Sequence, residues 1–539
     1  MPEQTKVARC SLRSHPCDEM SQPIRVDMRH NRKLFFQVCS IMSSSSNKSA
    51  PIQFKVRMLK WHRRLAWLGF TALLLWGGSG LLHSWLTLFG VQPAVFAPPQ
   101  RALNLSDAQP FADILATAGI EKAVAVKVVV GEADNLLQIT QEQGKPRRYF
   151  DLKTGAELPN HDKVYAAFLA RHYMNLPYEN IASVEWIDQF SADYHPVNRL
   201  LPVYRVSFDR ADGLNALVYT ETASLAGVSN HTKDWVQTGF QWFHTWGWMP
   251  QSAETPRVVL MAVLVGAVVL MSLTGLSMLI LIRRKVRAAG AKGWHRVAGY
   301  VLVLPVFMFS ASGFYHLIQH GWPSDTSHLT LGKPMDMSRL QFPVNAEWAT
   351  LTENLTVAGV SLVANQSGDT FYRLALPVAK GKLPDGDKAI RNARFDGVQP
   401  TGPALYVNAV NGQVWSEGDR ELAYQLATLH TGLPREDIQN ATLVTRFGPD
   451  YDFRNKRLPV WKFEYGQPLN ASIFIDTATG VMADKALNSA KPETWSFSML
   501  HKWNFMFPLG REIQNIAMAV FEILSIVLMA GFGLRSKFR

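Results

Sequence analysis

Residues 294–316 read WHRVAGYVLVLPVFMFSASGFYH, an apolar run with a histidine near its start, His295, and another at its end, His316. Residues 61–83 read WHRRLAWLGFTALLLWGGSGLLH and share the Trp-His-Arg opening and the Ser-Gly pair just ahead of the closing histidine. They also share the spacing of 21 positions, from His62 to His83 as from His295 to His316, and the two copies are offset by 233. At about 1.5 Å per residue a helix sets its two histidines roughly 31 Å apart, close to the thickness of a hydrocarbon core. Each helix therefore carries one imidazole toward each membrane face. Ionisable groups inside a span are costly and by default functional.

Working outward, the 47% of hydrophobic residues among 539 is clustered, with bilayer-length runs at about 65–89, 258–282, 297–318 and 513–534, the last interrupted by Glu522. Adding flanks gives spans at residues 62–89, 257–282, 295–319 and 511–534. The basic flanks set the orientation: Lys55, Arg57, Lys60, Arg63 and Arg64 before the first span, Arg283, Arg284, Lys285, Arg287, Lys292 and Arg296 between the second and third, and Arg535, Lys537 and Arg539 at the end all read as cytoplasmic. Both termini are then cytoplasmic, and the long segments 91–250 and 321–505 lie outside. The net charge of +12 is explained by these flanks; no basic stripe with interleaved aromatics points to nucleic acid.

Residues 1–54 are polar and irregular, expected as a disordered cytoplasmic tail, and Met58 offers a later start directly ahead of the first span. Cys10, Cys17 and Cys39 all precede that span, so the outside segments fold without disulfides. No Cys-x-x-Cys-His for attached haem and no cysteine cluster for iron–sulfur or zinc occurs. No Gly-x-Gly-x-x-Gly follows a strand, which places any nicotinamide or flavin on a partner.

The outside segments repeat at a shift of 257. Tyr149–Gly155 matches Tyr406–Gly412, Leu176-Pro177 matches Leu433-Pro434, Tyr204 matches Trp461, and His244-Thr245-Trp246 matches His501-Lys502-Trp503. The pattern within each is strands with hairpin turns around a helix, expected at Asp162–Met174 in the first. The change of shift leaves about 24 extra residues after the third span. The fold class expected is a membrane four-helix bundle with two α+β outside domains, a tandem duplication of helix, domain, helix.

Duplicated spans in one bundle bring equivalent residues together across a pseudo-two-fold axis. His62 would face His295 near the cytoplasmic surface and His83 would face His316 near the opposite one. Paired neutral imidazoles are axial ligands suited to b-type haem, which a bundle holds without a covalent bond. Ser79-Gly80 and Ser312-Gly313, on the same helical face as the following histidine, give room for a flat macrocycle or for close helix contact. His244 and His501 would form a second pair, cross-pair with His83 and His316, or orient a ligand. The competing structural role for Trp61-His62-Arg63 and Trp294-His295-Arg296 is interfacial anchoring. Arg63, Arg64 and Arg296 are placed to meet haem propionates or to stay solvated. His161, His172, His195, His231, His320, His328 and His430 read as surface or loop residues.

Together, the Trp-His-Arg openings, the Ser-Gly-x-x-His closings, Phe243-His244 and Leu500-His501, and the hairpins Tyr149–Gly155, Tyr406–Gly412 and Phe474–Gly480 resemble the PepSY-associated transmembrane proteins, often described as iron-regulated membrane proteins, from about residue 58 onward. Ser224 and the extra residues depart from strict repetition. The resemblance implies a multi-pass inner-membrane protein with two periplasmic PepSY-like domains and, for its ferric-siderophore reductases, two or more haem b. Electrons would come from a cytoplasmic reductase or quinol and pass to a ferric siderophore or other ferric chelate. The alternative is a non-enzymatic PepSY regulator that binds peptides or restrains a peptidase.

Overall fold

The computed structural model describes residues 50–191, 193–281, 290–320, 329–379, 393, 395–416 and 418–538. Cys10, Cys17, Cys39, the basic residues Arg283–Arg287 and His328 lie outside them. The chain divides into Met1–Met58 and Leu59–Arg539, and the second unit is described below.

Four helices are long and apolar enough to cross a membrane: Gln53–Phe89, Glu254–Leu281, Gly290–His320 and Arg511–Arg535. The first begins before the expected residue 62, and its first turns, from Ala50, reach into the segment expected as tail, because Lys and Arg are good helix formers and carry the helix through the basic flank. Ala72 and Trp76, Leu264 and Val268, Val306, and Met529 form one apolar cluster, so all four helices meet. Outward, Val259, Val263, Leu270, Val301 and Leu304 are exposed, an apolar surface that water does not favour and lipid does.

The first outside segment contributes β1 (Lys122–Ala123), β2 (Ala125–Val130), β3 (Asn135–Thr140), β4 (Arg148–Asp151), β5 (Ile181–Ile187), β6 (Val203–Phe208), β7 (Asn215–Tyr219) and β8 (Ser224–Ser229). The second contributes β9 (Met335–Asp336), β10 (Gly359–Ala364), β11 (Thr370–Ala375), β12 (Ala404–Asn408), β13 (Val414–Trp415), β14 (Ile438–Val444), β15 (Val460–Tyr465), β16 (Ala471–Asp476) and β17 (Val481–Leu487). Each segment closes its own four-stranded sheet, β5-β6-β7-β8 and β14-β15-β16-β17. The remaining strands do not stay apart: β4-β3-β2 and β10-β11-β12-β13 form one seven-stranded sheet, joined where β2 pairs antiparallel with β10 through Lys127↔Ser361 and Val126↔Leu362. The two outside segments are therefore one continuous body at this sheet.

Helix His161–Met174 lies between the shared sheet and β5–β8, burying Tyr165, Leu169 and Tyr173 against Tyr149, Tyr204 and Val218. Helix Gly418–Thr431 repeats this with Leu422 and Leu426 against Tyr406, Phe463 and Ile475. Each helix ends on a left-handed residue, Asn175 and Gly432, just before its Leu-Pro. At each start a buried tyrosine donates to the helix's first-turn acid, Tyr149 to Asp162 at 2.8 Å and Tyr406 to Asp419 at 2.6 Å. The opposite face of the shared sheet is covered by Phe111, Ile114 and Leu115 from the first segment and Met337 and Trp348 from the second.

Candidate functional site

Near the start of the first and third spans, His62 and His295 face each other with ring centres 6.1 Å apart and planes inclined by 52°. His62 Nδ1 lies 3.1 Å from Thr274 Oγ1, whose own hydrogen is directed at the Leu270 carbonyl, 2.9 Å away. His295 Nδ1 donates to the Met529 carbonyl at 3.0 Å. A carbonyl only accepts, and this hydroxyl is already spent as a donor, so both rings carry their proton on Nδ1 and leave the Nε2 lone pair free. Two imidazoles sharing one ion at about 2 Å from each nitrogen have ring centres on the order of 6 Å apart, the separation this pair has. Both rings lie on glycine. A Cβ at Gly275 would sit 3.5 Å from His62 Cε1, and one at Gly533 would sit 3.1 Å from His295 Cε1.

At the other end, His244 and His501 are outside the spans in sequence, on single wide turns, Gln241–Thr245 and Phe497–His501, that continue the helices His231–Phe240 and Lys491–Ser496. Each ring stacks on the phenylalanine four residues earlier, His244 on Phe240 and His501 on Phe497, both at 4.6 Å. Each Nδ1 is held by the duplicated serine of a span. Ser79 Oγ donates to the Leu75 carbonyl and accepts from His244 at 2.9 Å; His501 donates to the Phe309 carbonyl at 3.2 Å, beside Ser312 Oγ at 3.3 Å. Burial, with His83 and His316 nearby, pulls His244 down to about 4; burial, with His244 and His316 nearby, pulls His501 down to about 3. Both are neutral at physiological pH and present Nε2.

His83 lies 5.5 Å from Phe240, and His316 stacks on Phe497 at 4.0 Å. The outer four histidines thus gather around two equivalent phenylalanines, with His244 the electrostatic neighbour of His83, His316 and His501. His316 differs from its counterpart in one respect. Its Nδ1 donates to Glu493 Oε1 at 2.6 Å, while His320 Nε2 donates to Oε2 of the same carboxylate at 3.0 Å. The three form a compact metal-ligand-type cluster around a buried acid. Burial raises the Glu493 carboxyl, but the two imidazole donors outweigh it and hold it down to about 2.

In His62, His295, His244, His501 and His316, then, Nδ1 faces an acceptor. Glu493 and the role of His320 were not found by sequence reasoning, although the i, i+4 spacing of His316 and His320 places both on one helix face. Ser79 and Ser312, expected to leave room for a macrocycle or for close helix contact, also lie within hydrogen-bond distance of His244 and His501. Glu522 lies between the first and fourth spans, where a Cβ at Gly80 would meet its Oε1 at 2.6 Å; its Oε2 is buried without a hydrogen-bond partner among the described residues. Arg296 reaches Tyr300 Oη at 3.2 Å and Arg64 lies over Trp61, both beside the inner pair. A scan against family models matches none, and no curated protein matches the chain.

Proposed function

We propose that this chain is a haem-carrying electron-transfer protein of the inner membrane, of the PepSY-associated type, that reduces ferric chelates in the periplasm with electrons from a cytoplasmic reductase or quinol. Its architecture is a duplication, supported by the identical order of the two four-stranded sheets and by the repeated Tyr–Asp pairs. Both termini are cytoplasmic, and the shared sheet is periplasmic.

The observation that carries this reading is the Nδ1 engagement just described. Histidines that bind metals nearly always donate the other ring N–H to a carbonyl, hydroxyl or carboxylate, which fixes the tautomer and makes the free nitrogen a better donor. His62 and His295 would hold an inner haem; His83, His244, His316 and His501 would provide the outer ligands. Haem, when bound, supplies one-electron chemistry. The residues bind and orient: Thr274 and Met529 aim the inner pair, Ser79 and Phe309 aim His244 and His501, and Glu493 aims His316. One-electron reduction suits iron release because hard oxygen donors hold Fe(III) better than Fe(II).

The test is an optical haem count on purified protein. The wild type is expected to show bis-histidine haem with at least two redox steps. His62→Ala and His295→Ala should each remove the same step, and His501→Ala a different one. A colourless protein that also fails to take up added haemin overturns the proposal, and would leave a non-enzymatic regulator of peptides or a peptidase as the standing alternative.

A further inference from the structure

Register pairs across the shared sheet line up one polar row on a single face: Gln138, Lys127, Ser361, Arg373 and Tyr406, each opposite the next. The ends of the row are tied. Gln138 donates to Tyr149 Oη at 2.7 Å and to the Thr220 carbonyl at 3.0 Å, and Arg373 donates to Tyr406 Oη at 2.9 Å and to Asp419 at 3.3 Å. The middle is not. Among the described residues, neither the Lys127 ammonium nor the Ser361 hydroxyl has a hydrogen bond, although both sit where the two halves of the molecule join.

Lys127, Ser361 and Arg373 line a cavity of about 850 Å³, together with Arg457 and Thr479 from the far side. Arg457 spends its terminal nitrogens on Glu221 and Asp476, at 2.8 and 2.9 Å, and its Nε has no hydrogen-bond partner among the described residues. Four of the seven lysine and arginine side chains that line the cavity are already paired with carboxylates, Arg205 with Glu185, Arg373 with Asp419, Arg454 with Asp452 and Arg457 with Glu221, and three aspartates also line the cavity. Its volume falls in the range of small-molecule sites, roughly 300–1,000 Å³. Burial also pulls the Lys127 ammonium down to about 8, since the carboxylates of Glu221 and Asp476 act on it only from beyond hydrogen-bond reach and are already committed to Arg457. A cation left unpaired in such a place is costly unless an anion joins it. The cavity also reaches Gln237 and Gln241, on the helix and the wide turn that carries His244.

We propose that this cavity binds a small organic anion with several acceptor oxygens, of the polycarboxylate kind, either free or as its ferric chelate, with Lys127 as its central counter-ion and Ser361 as a donor beside it. That the anion carries iron rests on the electron-transfer function proposed above; that it is an anion does not.

Titration calorimetry on the full-length detergent-solubilised protein decides this, with citrate, ferric citrate and a cationic ferric trihydroxamate as probes and the haem spectrum recorded on the same sample. Ferric citrate should bind saturably and about tenfold more tightly than the cationic complex, with affinity falling as salt rises. Lys127→Met should weaken ferric citrate by about tenfold, and Lys127→Arg by no more than about threefold. Equal binding of the cationic complex by the wild type, or undiminished binding by folded Lys127→Met, overturns the anion site. Citrate binding with no gain for its ferric complex supports the site and overturns its iron cargo. Anion binding by a sample without haem bands supports the site while the haem reading fails.

Discussion

Glu493 joins His316 to His320 in the second half. At the positions equivalent to Glu493 and His320 in the first half stand Val236 and Thr87. A carboxylate on Nδ1 pushes electron density toward Nε2 and favours the more highly charged state of a bound metal. If haem is held as proposed, Glu493→Gln is therefore expected to raise the potential of one outer centre, by roughly 60 mV for a tenfold change in relative affinity, and to leave the inner centre unmoved. Potentiometric titration followed optically reads both; an unchanged potential with intact haem content would leave Glu493 a purely structural residue. At this scale the sequence was legible where the signal is local. Histidine pairs 21 apart in two copies stand out, and helix geometry turns that spacing into two levels. Glu493 was not legible because 177 positions separate it from His316, and no periodicity points from one to the other.

At the scale of elements, glycine contacts set how close the spans come to the rings. Gly533 of the fourth span backs His295, whereas a side chain at Gly531, one turn-half away, would meet nothing within 4 Å among the described residues. Gly533→Val should displace the His295 ring and cost about 1–3 kcal/mol as an overpacked contact, and under the proposed function it should lower inner haem occupancy, while Gly531→Val retains it. Haem absorbance against protein concentration, with helix content from circular dichroism, checks the pair. Hydropathy located the four spans, and helical spacing placed the helix expected at Asp162–Met174 to within a residue of His161–Met174. It did not reveal that β2 pairs with β10. A period of two says that a strand exists and which face is apolar; it carries no information about a partner more than two hundred residues away.

For the whole molecule, the two outside segments are held by charge as well as by strand pairing. Arg457 of the second segment reaches Glu221 of the first at 2.8 Å, and Arg199 of the first reaches Asp484 of the second at 2.7 Å. Burial raises the Glu221 carboxyl, but Arg457 and Arg147 outweigh it and hold the group down to about 2 from 4.5. A depressed carboxylate contributes stability that is present in full above its unfolded value and is lost as pH falls through the folded one. Apparent melting temperature should therefore hold from pH 7 to about 5 and fall progressively below that. Glu221→Gln should flatten this acid limb and cost about 3 kcal/mol at neutral pH, because Arg457 is left buried and partly unpaired. A mutant whose melting temperature falls with acid as steeply as the wild type's would place the joint elsewhere.

The pairing of β2 with β10 also sets a timetable. During synthesis β2, AVKVVV, is finished 234 positions before Ala364 completes its neighbour. At 5–20 residues per second its free edge waits on the order of 10–50 s, while two further spans are inserted. A short strand of valines with an open edge is a template for pairing with another chain, and a lysine in its middle is the usual guard against that. Lys127 would thus serve the nascent chain before it serves the proposed cavity, guarding the edge of β2 not taken by β3 until β10 arrives.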